Sequence, residues 1–231
     1  MDSTMALAGV VGIAPALALM YWTMSRFTYP KVERPYFDDR KVFSMFAAGM
    51  VIGVIVFAVQ SWFPLELVYV ALAFALVEEL LKLVILNMPR FHRKLDTAFY
   101  GLSLGLGIGA TMAFGAAFSV IATLDSVGIL EWALIAVLAV QYITLHASTG
   151  ATIGTGVVKG YPFEIFTQAA LVHIAYSLLM VAFFSGAEPW WYVTVPVATV
   201  LLVSYYLYVH YRLLPSLVEE ALSEMKSKGK G

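Results

Sequence analysis

Long apolar stretches alternate with short polar intervals along the chain, at approximately residues 4–25, 42–62, 64–87, 97–123, 129–157, 164–185 and 189–211. Each is close to the ~20 residues that an α-helix needs to cross the hydrocarbon of a bilayer. The pattern predicts an all-α polytopic membrane protein with seven transmembrane helices, residues 1–213 forming one transmembrane domain. Residues 214–231 read as a short cytosolic tail, an amphipathic segment running into a Lys/Gly end. The first stretch has no basic region before it and continues through Met20-Tyr21-Trp22, so it reads as a span rather than a secretory leader. No soluble domain and no repeat at solenoid period is visible.

Composition agrees with this class. Of the 231 residues, 61% are hydrophobic and only 13% charged, against about 25% charged in soluble domains. Cysteine is absent, which excludes disulfides, thiolate nucleophiles and Cys-based zinc sites. The formal net charge of −1 says little until the charges are sorted by side.

Sorted in that way, the basic residues separate cleanly. Arg26, Lys31, Arg34, Arg40 and Lys41 follow the first stretch, and Arg90, Arg93 and Lys94 follow the third. Lys159 follows the fifth, while Arg212, Lys226, Lys228 and Lys230 follow the seventh. With Lys82 near the end of its stretch, all 14 Lys and Arg fall on one side. The other side carries Asp2, Glu66, Asp125, Glu131 and Glu188. Basic residues mark the cytosolic side, which predicts an outside N-terminus and a cytosolic C-terminus. The partners expected are the lipid bilayer and other transmembrane segments, with no nucleic acid. The location expected is the plasma membrane of a prokaryote.

The third stretch carries Glu78, Glu79 and Lys82 in otherwise apolar sequence. Ionisable residues within a membrane span are costly, face the bundle interior and are functional by default. Glu78 and Lys82 stand four apart in the order that favours an ion pair, whereas Glu79 points ~100° away toward another neighbour. Of the four histidines, His92 and His210 fall at cytosolic helix ends, where an interfacial role suffices. Measured from the cytosolic ends, His146 and His173 lie ~14–16 Å into spans five and six, and Glu79 ~12 Å into span three, so they share one layer. Glutamate and histidine in a low-dielectric pocket support two chemistries. The carboxylate acts as general base on water while histidine stabilises the oxyanion, or a divalent metal such as zinc, held by Glu79, His146 and His173, activates the water. No HExxH is present to decide between them.

Span four has a different character. Gly101, Gly105 and Gly109 recur every four residues, with Gly107 between them and Gly115 beyond, and span five adds Gly150 and Gly154. Small residues at this spacing let another helix approach closely in lipid, either inside the molecule or in a partner. Asp96, at the start of span four, reads as its N-cap.

Glu78-Glu79-Leu80-Leu81-Lys82 resembles the EExxK motif of the PrsW family, intramembrane proteases of the type II CAAX endopeptidase superfamily. The order that follows is also similar: Asp96, Tyr100-Gly101, Gly105-Leu106-Gly107-Ile108-Gly109, His146, then His173 with Ser177 one turn on. The resemblance covers roughly residues 70–180. It implies Glu78, Glu79, His146 and His173 as catalytic residues, supported by Lys82, Thr149 and Ser177. One position departs: where the family has the glutamate of its second motif, this chain has Met112. The chain also resembles the related seven-pass anterior-pharynx-defective scaffold subunit of γ-secretase. That likeness rests on Ala14-Pro15-Ala16-Leu17-Ala18-Leu19, on the Gly101-Gly105-Gly109 helix and on Leu145-His146 and Val172-His173. Three readings follow. The first is an intramembrane endopeptidase acting on membrane-anchored substrates, its Glu/His site in the cytosolic half of the bilayer and open toward the cytosol. The second is a catalytically degenerate scaffold that binds transmembrane helices through the span-four glycines. The third is a proton- or ion-coupled transporter.

Overall fold

The computed structural model describes residues 3–33, 35–124 and 126–228. Among these, the regular structure is entirely helical. The elements are α1 (Ser3–Met24), α2 (Asp39–Gln60), α3 (Val68–Leu86), α4 (Asp96–Thr123), α5 (Ile129–Lys159), α6 (Pro162–Phe184), α7 (Trp191–Tyr208) and α8 (Leu214–Lys228). A 3-10 turn at Pro89–Phe91 precedes α4, and a π-helical turn at Val209–Leu213 joins α7 to α8.

Six helical segments among the described residues are long and apolar enough to cross a membrane, as in a multi-pass membrane protein. The remaining predicted span, the third, corresponds to α3, a 19-residue helix that carries three ionisable residues. Its polarity is inverted relative to a soluble amphipathic helix. Glu78, Glu79 and Lys82 are buried, while Val77, Leu80, Leu81 and Val84 are exposed. The last spanning segment runs unbroken from Trp191 to Glu224, so the predicted boundary at residue 213 is not a break. Leu214, Leu217 and Val218 pack α8 into the main core instead of leaving a loose tail.

Helix α4 is the axis of the bundle: from Thr97 to Ala113 every residue is buried. Its glycines permit this on two sides. A Cβ at Gly101 or Gly105 would strike the backbone carbonyls of Gly150 and His146, and one at Gly107 would strike the carbonyl of Phe46. Helix α5 therefore lies directly on one face of α4, and α2, with its own Gly49 and Gly53, lies on another. Gly12 of α1 meets the backbone at Ala110 and Phe114. The outer helix α6 packs on α5, α3 and α7. The span-four glycines are thus used within the chain and leave no groove for a partner helix. Helix α5 stops at Gly160, whose φ of 85° suits a residue without a Cβ.

Two predicted roles change. Asp96 is the first residue of α4 and not its cap, which is Leu95. His210 is buried, not interfacial: its ring stacks on Trp22 at 4.0 Å and its Nδ1 lies 3.0 Å from Thr23 Oγ1. The His210 carbonyl accepts from Arg26 Nη1 at 3.0 Å, a bond favoured by the wide π turn, which interrupts the regular ladder there. These contacts fasten α1 to the α7–α8 junction.

Candidate functional site

Helix α3 places Ala71, Ala75, Glu78 and Lys82 along one stripe, with Glu79 beside it, all facing inward. Opposite them, α5 contributes His146 and Thr149, and α6 contributes His173. The long α5 is held against α4 by the glycine contacts, one of which is made by the His146 backbone itself. All four predicted catalytic side chains therefore meet in one buried cluster.

The pairing within that cluster differs from the spacing-based expectation. Lys82 binds Glu79, three residues before it, and not Glu78: Nζ lies 2.6 Å from Glu79 Oε1. Lys82 also donates to Thr149 Oγ1 at 2.7 Å, and that hydroxyl donates onward to Leu145 O at 3.0 Å. His173 Nδ1 lies 2.7 Å from the same Glu79 oxygen. A carboxylate only accepts, so this contact makes Nδ1 the N–H donor, and in the neutral ring Nε2 is then the acceptor. Glu79 and Lys82 together thus hold the His173 ring in one tautomer and one orientation.

Glu78 is in another situation. Its Oε1 accepts from Gln60 Nε2 at 2.5 Å. Its Oε2 stands 3.5 Å from His146 Nε2 without a hydrogen bond. Glu78 Oε2 and both ring nitrogens of His146 are buried and have no hydrogen-bond partner. Buried polar atoms are paired in the great majority of cases, and an orphan group asks for an explanation. Glu79 Oε2 is unpartnered as well, although its other oxygen is held by Lys82 and His173, whereas Glu78 and His146 share a wall. Glu78, His146 and His173 line one cavity of about 40 Å³ together with Met112, Tyr142, Tyr176 and Ser177. At roughly 10–15 Å³ per water, that space holds about two to four water molecules. Two buried carboxyls face one ammonium in the cluster, and it is Glu78 that has no cationic partner.

The donors also fit a divalent metal. One ligand atom from each of Glu78, His146 and His173 lies within 4.8 Å of the others. Ligands at zinc distances of about 2.0–2.2 Å and a tetrahedral angle are roughly 3.3–3.5 Å apart, which matches the 3.5 Å between Glu78 Oε2 and His146 Nε2. The carboxylate in this set is Glu78, whereas sequence reasoning named Glu79. Glu79 stands behind His173 in the manner of the carboxylates that orient metal-binding histidines.

The cavity does not open toward the basic end as expected. It extends past Phe74, Leu65 and Phe184, where α2 stops, α3 begins and α6 ends. That is the end bearing Glu66 and Glu188, and beyond Gln60 the lining there is apolar, with Leu65, Phe74 and Phe184. Ser177 is half-buried on the cavity wall one turn after His173, and Met112 occupies the wall where the resembling family has a second glutamate. Sequence reasoning missed Gln60, Gln141, Tyr142 and Tyr176. Gln60 stands two residues before the end of its predicted span, where a polar residue carries no distinctive signal. Gln141 lies one turn before the histidine region and is fully buried, bonded to Val195 O and Thr199 Oγ1. A glutamine inside a span is a polar signal of the same kind as the glutamates, and it could have been read.

No protein-family model, no curated protein and no solved structure matches the chain. The likeness to the intramembrane proteases and to the scaffold subunit therefore rests on the motif residues named above.

Proposed function

We propose that the chain is a seven-pass intramembrane hydrolase that cleaves peptide bonds of membrane-anchored substrates, with its N-terminus outside and C-terminus cytosolic. The observation that supports this reading is the unpaired Glu78 Oε2 standing 3.5 Å from the unpaired His146 Nε2, both residues lining one cavity of water dimensions. An apolar exposed face and buried charges on α3 support counting it as a further span. Every basic residue except the buried Lys82 falls in the sequence segments assigned to one side, which supports the orientation. A scaffold would have its polar groups paired and its glycine face free, and a transporter would need a polar path through the apolar mouth.

In the proposed reaction Glu78 Oε2 removes a proton from a cavity water, and the water oxygen bonds to the substrate carbonyl carbon. His173 Nε2, fixed as an acceptor by Glu79, orients the water. His146, donating from one ring nitrogen, stabilises the oxyanion. Glu78 then returns the proton to the departing amide nitrogen, the C–N bond breaks, and a carboxyl and an amine result. A divalent ion held by Glu78, His146 and His173 would lower the pKa of a bound water. The Lys82–Glu79 pair acts by positioning His173 and does not touch the reacting atoms.

The test is cleavage of single-pass membrane peptides in proteoliposomes, with the products sequenced by mass spectrometry in ¹⁸O-water. One ¹⁸O in the new carboxyl is expected for the wild type, and none for His146→Ala. Intact substrates across a broad peptide set, or equal cleavage by His146→Ala, would overturn the proposal.

A further inference from the structure

At the basic end, well away from the Glu/His cluster, a second cavity of about 320 Å³ opens between the first turns of α2 and α4. Lys41 and Ser44 come from α2, Arg90 from the 3-10 turn, Lys94 from the segment after it, and Asp96 and Tyr100 from α4. The three cations are exposed, and none is ion-paired with a carboxylate among the described residues. Two are steadied by aromatic rings: Arg90 lies 4.7 Å above Phe91, and Lys41 lies 5.9 Å above Tyr100. Tyr100 is itself fixed, its hydroxyl accepting from Asp38 N at 3.3 Å. In the same pocket Asp96 Oδ1 is buried without a hydrogen-bond partner. Three cations against one carboxylate leave a surplus of two positive charges facing the cavity.

The level of the pocket is informative. Apolar segments long enough to span begin at Asp39 and Asp96, so the pocket sits within the first two turns of two membrane helices, in the headgroup layer. Basic pockets between transmembrane helices at that level suit phospholipid headgroups. We propose that this pocket binds the headgroup of an anionic phospholipid, its phosphate held by Lys41, Arg90 and Lys94 and a headgroup hydroxyl donating to Asp96. The surplus charge selects an anion, and the orphan Asp96 oxygen selects one that also carries a donor. Free inorganic phosphate offers the same charge but has no acyl chains to rest on the apolar flanks of α2 and α4.

The test is native mass spectrometry of the purified full chain titrated with phosphatidylglycerol or phosphatidylcholine. The wild type is expected to bind phosphatidylglycerol at least tenfold more tightly. Combined Lys41→Gln, Arg90→Gln and Lys94→Gln substitution should abolish the preference, while Lys31→Gln, Lys159→Gln and Arg212→Gln together should leave it. An equal loss in both triple variants would mean diffuse surface attraction and would overturn the site. Competition by millimolar inorganic phosphate to the level of the pocket variant would overturn the lipid assignment in favour of a free-phosphate site. Should the triple pocket variant fail to fold, the exposed single reversal Lys94→Glu is read in the same way, and an unchanged preference there would sink the proposal.

Discussion

Replacing Gly105 with alanine tests whether the glycines of α4 serve the site through α5. The added Cβ would overlap the His146 carbonyl oxygen, lie 2.5 Å from its carbonyl carbon and 2.9 Å from the Ala147 nitrogen. All three are backbone atoms of a rigid helix, so no side chain can turn aside. Ordinary contact requires roughly 3.4 Å or more, and α4 and α5 would have to separate by about 1.5 Å just where His146 is anchored. Overpacking of this kind costs about 1–3 kcal/mol, and the gain in helix propensity from glycine to alanine returns at most about 1 kcal/mol. The control is Gly9→Ala in α1, where nothing lies within 4 Å of the new Cβ; the propensity gain should then stand alone and leave that variant as stable as the wild type or more so. Reversible unfolding in mixed micelles reads both variants. Opposite signs are expected, and a Gly105→Ala variant as stable as Gly9→Ala would refute the account of α4 packing.

Three further outcomes follow from the same geometry. Lys82→Met should destabilise by about 3–5 kcal/mol in the same unfolding assay, because it strands the buried Glu79 carboxylate, and adding Glu79→Gln should recover much of the loss. Gln60→Leu removes the hydrogen bond that Gln60 gives Glu78 and should cost about 1.5–3 kcal/mol, a contact with a charged group being lost; no change in unfolding would show that the amide is not bonded there. Thr23→Val breaks the hydroxyl contacts to Tyr206 and His210 and should cost about 1–2 kcal/mol, read as earlier thermal unfolding.

The apolar stretches made most of the helices legible, because a bilayer imposes both length and composition on a span. Boundaries shifted where polar chemistry intervenes: α2 begins at Asp39, three residues ahead of its apolar run, under the Asp38 cap. The convergence of Glu78, Glu79, His146 and His173 could be read from depth alone, since helical rise converts residue counts into layers. The pairing could not. Spacing favours Glu78 with Lys82, yet Thr149 and His173 on neighbouring helices draw Lys82 and Glu79 together, a tertiary choice with no local signature. The side on which the cavity opens was misread for a related reason. It depends on where α2 ends and how α3 leans on α6, and hydropathy is silent on both. The glycine repeat announced a close helix contact correctly but could not say that α5 and α2 already fill it.

The central claim is a division of labour between adjacent glutamates, Glu78 free to act and Glu79 bound to position. Cleavage and unfolding measured together for Glu78→Gln and Glu79→Gln test it most directly. Glu78→Gln should abolish cleavage while leaving stability equal or raised, because the amide oxygen still accepts from Gln60 and a carboxyl without a cationic partner is removed. Glu79→Gln should lower stability by about 3–5 kcal/mol through the stranded Lys82. Cleavage retained by Glu78→Gln, or a loss of stability in that variant matching Glu79→Gln, would contradict the account.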